Sequence, residues 1–321
     1  MTEPIAVGVD IGGTKIALAA TTSDGTILAR DVVPTHPAEG ANGVIARLAR
    51  GIEHVIGAVA AHTADGKVKI AGIGVACPGP IDPARGIALN AVNLAWKDVP
   101  VRDLLRANLA LTAPIIMAND VNAGALGEMH FGAARGVRDF VHITVGTGLG
   151  GAAILDGRIL NGVSGAAMEI GHVSLDPRGR LCACGTRGCV ETVASGKGLL
   201  GGVTEYLSQY PASPLTHADP LTTSAILTAA REGDPLARRV LDEAGAALGA
   251  ALAWSATVLD PALIVVGGGL TAAAGDLFWG TMIASFESRV LSSLHESVRI
   301  ARSQVESTAL GAAALVWGNN E

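Results

Sequence analysis

Apolar residues fall in short runs along this chain, and two regions follow one plan. Residues 5–10, IAVGVD, lead through Ile11-Gly12-Gly13-Thr14-Lys15 into a second run, IALAAT. Residues 139–145, DFVHITV, lead through Gly146-Thr147-Gly148-Leu149-Gly150-Gly151 into AAIL and an Asp156-Gly157 turn. Apolar run, glycine turn, apolar run predicts a β-hairpin. A third run, ILARDVV at 27–33, follows the Asp24-Gly25 turn of the first hairpin. Glycines let backbone N–H groups approach an anion closely, and Thr14 and Lys15 add a hydroxyl and a charge. One such hairpin alone reads equally well as a tight turn. Neither the GxxxxGK[ST] spacing nor GxGxxG ahead of a helix is present. Two copies in one chain predict an internally duplicated α/β fold with a nucleotide between its halves.

Other periods place the remaining elements. Val44, Leu48, Ile52, Val55, Ile56 and Val59 predict a helix over Asn42 to Ala61. IAGIGVA at 70–76 reads as a buried strand ending in the rigid turn Cys77-Pro78-Gly79-Pro80, the kind of strand end that lines a ligand crevice. Cys77, far from other thiols in sequence, reads as a small buried hydrophobe. Asn90 and Asn93 read as turn residues rather than ligand contacts. A helix at Val101 to Leu111, a strand at Pro114 to Ala118 and a helix through Phe131 follow. Between the last two stand Asn119-Asp120-Val121-Asn122. Asp120 reads either as the N-cap of that helix or as a general base at a strand's end. Residues 208–222 read as a surface loop, and Asp234-Pro235 as the capped start of a helix. The stripe Leu236, Val240, Ala244, Leu248 and Leu252 is assigned to the core. A third glycine loop, Val265-Val266-Gly267-Gly268-Gly269, ends a strand and would suit a base and ribose. Thr308 to Trp317 reads as a last small-residue helix.

Composition narrows the class. A chain of 321 residues has room for two domains. With 49% hydrophobic residues, 42 glycines and 3% aromatics, it is a compact protein built from small side chains. The net charge of −6 and the lack of a dense Lys/Arg run argue against a nucleic-acid partner. MTEPIAVGVD has no basic region ahead of an apolar core, so no signal peptide is expected in it. The longest uncharged stretch, Ala244 to Leu259, is shorter than the roughly 20 residues of a membrane span. A soluble, cytoplasmic protein without a membrane partner is expected, with its thiols reduced.

The densest chemistry lies in Glu169 to Gly196, EIGHVSLDPRGRLCACGTRGCVETVASG. Three of the four cysteines, Cys182, Cys184 and Cys189, stand within eight residues, and His172 is ten residues ahead of the first. One imidazole and three thiolates complete a tetrahedral Zn²⁺ set. A disulfide framework would require an oxidising compartment, and the Cys-x-x-Cys of a redox pair is absent. Four protein ligands close the site, so such a zinc would be structural and would not activate water.

These residues carry a resemblance. DIGGTK at 10–15, the CPGP turn, NDVNA at 119–123, TVGTGLGG at 144–151, EIGH at 169–172 and CACGTRGCVE with ASG at 182–196 are similar to the sugar kinases of the ROK family (repressor, open reading frame, kinase). The match extends over essentially the whole chain. The resemblance implies a duplicated actin-like (ribonuclease H-like) ATPase fold with the active site in the cleft between two lobes. Residues 1–118 with the C-terminal helix at about 306–321 would form the small lobe. Residues 119–305 would form the large lobe, carrying the zinc-binding motif 172–189.

The implied activity is ATP-dependent transfer of the γ-phosphoryl group, with Mg²⁺, to the 6-hydroxyl of a hexose, glucose first. By resemblance Asp120 is the catalytic base and Asn119 a sugar contact, and Glu169, His172 and Glu191 bind further hydroxyls. His172 would offer one ring nitrogen to zinc and the other to the sugar. Gly12, Gly13, Thr14, Lys15, Thr144, Gly146, Thr147 and Gly148 would surround the phosphates, with Gly267 and Gly268 also on the nucleotide and Asp10 near Mg²⁺. Closure of the two halves would keep water from the phosphoryl group. A homodimer or homotetramer is expected.

The main alternative is an N-acetylmannosamine or N-acetylglucosamine kinase. A sugar-sensing ROK regulator is disfavoured because DIGGTK begins at Asp10, which leaves no room ahead of it for a helix-turn-helix domain. A chaperone-like ATP-binding protein is disfavoured by the trio Glu169, His172 and Glu191.

Overall fold

The computed structural model describes residues 3–305 and 307–318. They fold as two compact units. The first runs to Gly136 and takes in Asn161–Ala167 and the chain from Gln304 onward; the second comprises Val137–Leu160 and Met168–Ser303.

In the first unit β1 (Ile5–Ile11), β2 (Lys15–Thr21) and β3 (Ile27–Pro34) form the expected antiparallel meander. Helix α1 (Gly40–Ala60) leads to β4 (Ile70–Cys77), which lies parallel to β1. A small separate sheet of β5 (Ile81–Asp82), β6 (Ile87–Ala91) and β7 (Trp96–Val99) follows. Then come α2 (Val101–Asn108), β8 (Ile115–Asn119) parallel to β4, and α3 (Asp120–Phe131). The main sheet has the order β3-β2-β1-β4-β8. The C-terminal helix (Thr308–Trp317) packs on it, and glycine is what admits that helix. A Cβ on Gly8 would lie 1.9 Å from the Ala309 carbonyl oxygen, and one on Gly74 1.8 Å from that of Ala312.

The second unit repeats the plan. β9 (Phe140–Val145), β10 (Leu149–Leu155) and β11 (Arg158–Ile159) form its meander. Helices α4 (Gly196–Tyr206), α5 (Thr223–Arg231) and α6 (Pro235–Leu259) precede β12 (Leu263–Gly267). Helices α7 (Gly269–Ala274) and α8 (Trp279–Glu287) precede β13 (Arg299–Arg302). The order is β11-β10-β9-β12-β13, with β12 parallel to both neighbours. Hairpin, third antiparallel strand, then two parallel strands occur in both units, so the duplication expected from the two glycine loops is present. Asp234 caps α6 through the Ala237 N–H at 2.8 Å, and the stripe Leu236, Val240, Ala244, Leu248 and Leu252 is buried.

Several elements differ from expectation. Asn90 lies in strand β6 instead of a turn, and α2 stops at Asn108. Helix α4 has four glycines in eleven residues, a composition that argues against a helix. It forms because glycine allows the close packing it needs: a Cβ on Gly202 would lie 2.9 Å from Val240 of α6. The first unit extends to Gly136 instead of ending at 118, because α3 packs on the C-terminal helix, with a would-be Gly127 Cβ 2.8 Å from Gly311 Cα. Residues 306 and 319–321 of the expected C-terminal segment, and residues 1 and 2, lie outside the described residues. No described helix is long and apolar enough to cross a membrane.

Glu128 on α3 is fully buried. Its carboxylate accepts N–H groups from Ala133 at 2.8 Å, Gln304 at 3.1 Å and Val305 at 3.2 Å. The chain first leaves this unit after Gly136 and makes its last return at Gln304, so one carboxylate ties the first exit to the final return.

Candidate active site

In the first unit the parallel strands deliver polar residues to one edge. Asp10 is in register with Ala76, and Cys77 with Asn119, so Asp10, Cys77 and the Asn119-Asp120 pair lie along the C-terminal ends of β1, β4 and β8. Burial pushes the Asp10 carboxyl up to about 6, helped by the charge on Asp120; a hydrogen bond from Thr308 and the charge of Lys15 oppose the rise. The buried Cys77 thiol is pushed up to about 12, first by desolvation and then by the same two carboxylates. It is the small buried residue expected of it.

The two readings of Asp120 separate here. Asn119 is the N-cap of α3, its side-chain oxygen accepting the N–H groups of Val121 at 2.9 Å and Asn122 at 3.5 Å. Its amide donates to the Gly79 carbonyl of the CPGP turn at 3.0 Å. Asn119 therefore fastens the strand end and keeps one amide hydrogen for a ligand. Asp120 is the first residue of the helix, with one carboxylate oxygen 3.0 Å from the Val121 N–H. Beside them the β1–β2 turn is drawn tight by Gly12 N–H donating to the Lys15 carbonyl at 2.9 Å. Gly13 packs against Asn93, and Thr14 and Lys15 are exposed.

In the second unit the other glycine residues converge. Thr144 is in register with Gly267, and a Cβ on Gly268 would meet the Val145 backbone at 2.4 Å and Thr144 Oγ1 at 2.8 Å. Gly268 has φ +99°. Close packing on β9 is thus the reason for glycine there. The side of Gly146 where a Cβ would stand is open, and Thr147 is exposed.

The cysteine motif forms a knot. The ligand atoms of His172, Cys182, Cys184 and Cys189 all lie within 4.8 Å of one another. Cys184 Sγ is 3.6 Å from Cys189 Sγ, and Cys182 Sγ is 3.6 Å from His172 Nδ1. Ligand atoms about 2.3 Å from a central metal would stand about 3.7 Å apart on a tetrahedron, whereas a disulfide needs about 2.05 Å. The Thr186 N–H and the neighbouring thiols hold the Cys184 thiol down at about 6, while burial raises that of Cys189 to about 12. Packed thiols resist ionising together, which a bound cation would relieve. Gly188, at φ +73°, has no room for a Cβ, which would stand 1.7 Å from the Asp176 carbonyl oxygen. The residues present therefore fit a zinc ion.

The knot aims three polar groups. With Nδ1 of His172 on the thiols, its Nε2 faces Glu169, 4.0 Å from Oε2. Glu191 leaves the knot in a short turn and accepts the Leu149 N–H at 2.9 Å. Two contributors were not legible in sequence. Thr308 lies nearly 300 residues from its partner Asp10. Arg180 braces the knot by donating to the carbonyls of Thr192 at 2.8 Å and Gly198 at 2.9 Å.

Two sheets of one order, each with a glycine-turned hairpin, define the duplicated actin-like ATPase fold of the sugar kinases. Residues 6–319 match the ROK family, and the chain belongs to it. It is 37% identical over 290 residues to the glucokinase of Halalkalibacterium halodurans, covering 89% of this chain and 86% of that one. It is 35% identical over 274 residues to the N-acetylmannosamine kinase of Yersinia pestis, covering 84% and 85%. The crystal structure of a ROK family glucokinase from Streptomyces griseus in complex with glucose and AMPPNP matches with a TM-score of 0.80 and 32% identity over 97% of each chain.

Proposed function

We propose that this protein is an ATP-dependent glucokinase that transfers the γ-phosphoryl group to the 6-hydroxyl of glucose. The observation that carries the mechanism is the division of labour at the end of β8. Asn119 caps the helix, so the Asp120 carboxylate is held at the strand edge without being needed as the cap. Asp120 takes the proton of the attacking hydroxyl. Glu169, His172 and Glu191 hold other hydroxyls of the sugar, and Asn119 adds its remaining amide hydrogen. Gly12, Gly13, Thr14, Lys15, Thr144, Gly146, Thr147 and Gly148 take the phosphates, and the backbone at Gly267 and Gly268 takes the nucleoside. Phosphoryl transfer asks for positioning and charge neutralisation above all. Mg²⁺ bound with the nucleotide would supply that neutralisation, with Asp10 beside it.

His172, Cys182, Cys184 and Cys189 would hold a structural zinc, which would supply a fixed orientation for the His172 ring toward the sugar. The likeness to glucokinases along most of the chain supports glucose as acceptor. A second reading, N-acetylmannosamine as acceptor, is supported by the similarity to the Yersinia pestis kinase. We place the protein in the cytoplasm as a homodimer or homotetramer. The test is ADP formation from ATP and Mg²⁺ with glucose, mannose, fructose, N-acetylglucosamine and N-acetylmannosamine. Fastest turnover on glucose is expected; preference for an N-acetyl sugar would establish the second reading, with the same residues in the same roles.

A further inference from the structure

The segment that leaves the cysteine knot is stitched to the second glycine loop at three points. Glu191 Oε2 accepts the Leu149 N–H at 2.9 Å, Gly196 N–H donates to the Gly146 carbonyl at 2.8 Å, and Lys197 N–H donates to that of Thr147 at 3.3 Å. The segment is itself braced. Ser195 Oγ donates to the Glu191 carbonyl at 2.7 Å and accepts the Gly198 N–H at 3.0 Å, which caps α4. Arg180 holds the carbonyls on either side, at Thr192 and Gly198.

Of the three stitches, only the one at Glu191 is made by a side chain. Gly148 is shaped to it: a Cβ there would stand 2.4 Å from Oε2. Among the described residues Oε1 makes no hydrogen bond. One oxygen is thus spent on the loop and the other is available to a ligand.

We propose that Glu191 is a positioning residue for the nucleotide as well as a sugar contact, so that one carboxylate couples the two substrates. This rests on the kinase reading above. Leu149 is buried, so its N–H has no water to turn to if the carboxylate is removed. The loop then loses its register beside β9, and the N–H groups offered to the phosphates lose their preset direction. A sugar hydroxyl on Oε1 fixes the carboxylate in the orientation that also holds Leu149. Sugar binding therefore tightens nucleotide binding, and by linkage the nucleotide tightens the sugar by the same factor.

The test is calorimetric binding of AMPPNP with Mg²⁺ in the absence of sugar, for the wild type, Glu191→Ala and Glu191→Gln. A residue that only touches sugar would not move this constant. Glu191→Ala is expected to weaken it about tenfold, the worth of one hydrogen bond and its order. Glu191→Gln keeps an oxygen for the Leu149 N–H and should stay near the wild type. Gly148→Ala supplies the reciprocal test without touching the knot: by displacing the carboxylate it should weaken glucose binding measured without nucleotide. Equal nucleotide affinity in the wild type and Glu191→Ala, or unchanged glucose affinity in Gly148→Ala, would overturn the proposal alone. A wild type that binds glucose but no nucleotide would overturn the kinase reading and the proposal with it.

Discussion

The charge on Asp120 raises the proton affinity of Asp10, a second carboxylate at the same end of the first sheet. Burial is the larger cause, and together they bring Asp10 from 3.8 to about 6. Within that window the folded chain holds more protons at this site than the unfolded one. Stability therefore falls as pH rises from about 4 to 6, and the full cost is present above it. Asp10→Asn removes the cost. At about pH 7.5 it should stabilise the protein by about 1–3 kcal/mol in denaturant unfolding and should abolish turnover. The gain should vanish near pH 4. An Asp10→Asn protein no more stable than the wild type at pH 7.5 would mean that Asp10 is not strained.

The knot makes metal removal informative, because the two nitrogens of His172 face different partners. The purified protein should hold one zinc per chain by elemental analysis. Cys189→Ser, at a buried ligand, should lose it, and Cys77→Ser should keep it. A strong chelator should lower the melting temperature and weaken glucose binding about tenfold in parallel. Zinc loss with unchanged glucose affinity would separate the metal from the sugar site.

Glu128 belongs to neither glycine loop, yet it should be among the most sensitive positions for stability. Glu128→Ala leaves three part-buried N–H groups without their acceptor and empties a fully buried site, and should cost about 3–5 kcal/mol in denaturant unfolding. Glu128→Gln retains one acceptor oxygen and should cost less. Equal losses in the two variants would show that side-chain volume, not the hydrogen bonds, matters there.

Local pattern carried most of the frame. Both hairpins, α1, α6 and the C-terminal helix were legible because each has a clean hydrophobic period or a turn that names itself. The cysteine knot was legible because its ligands are close in sequence. Helix α4 was hidden by its glycines, whose reason is a tertiary contact with Val240. Strand β13 was hidden because Arg299–Arg302 has only two apolar residues. Asp120 could not be separated from a cap until Asn119 was seen doing that work. Glu191 was legible as a polar residue beside the knot; its bond to Leu149, 42 residues away, was not.

The most direct test of the account is ADP formation from ATP and Mg²⁺ with glucose by the wild type and Asp120→Asn, with glucose binding measured on both. Saturable turnover is expected in the wild type, and in Asp120→Asn near-normal glucose affinity with turnover reduced by at least about a hundredfold, the usual worth of a general base. Full turnover in Asp120→Asn, or glucose bound by the wild type without any phosphoryl transfer, would contradict it.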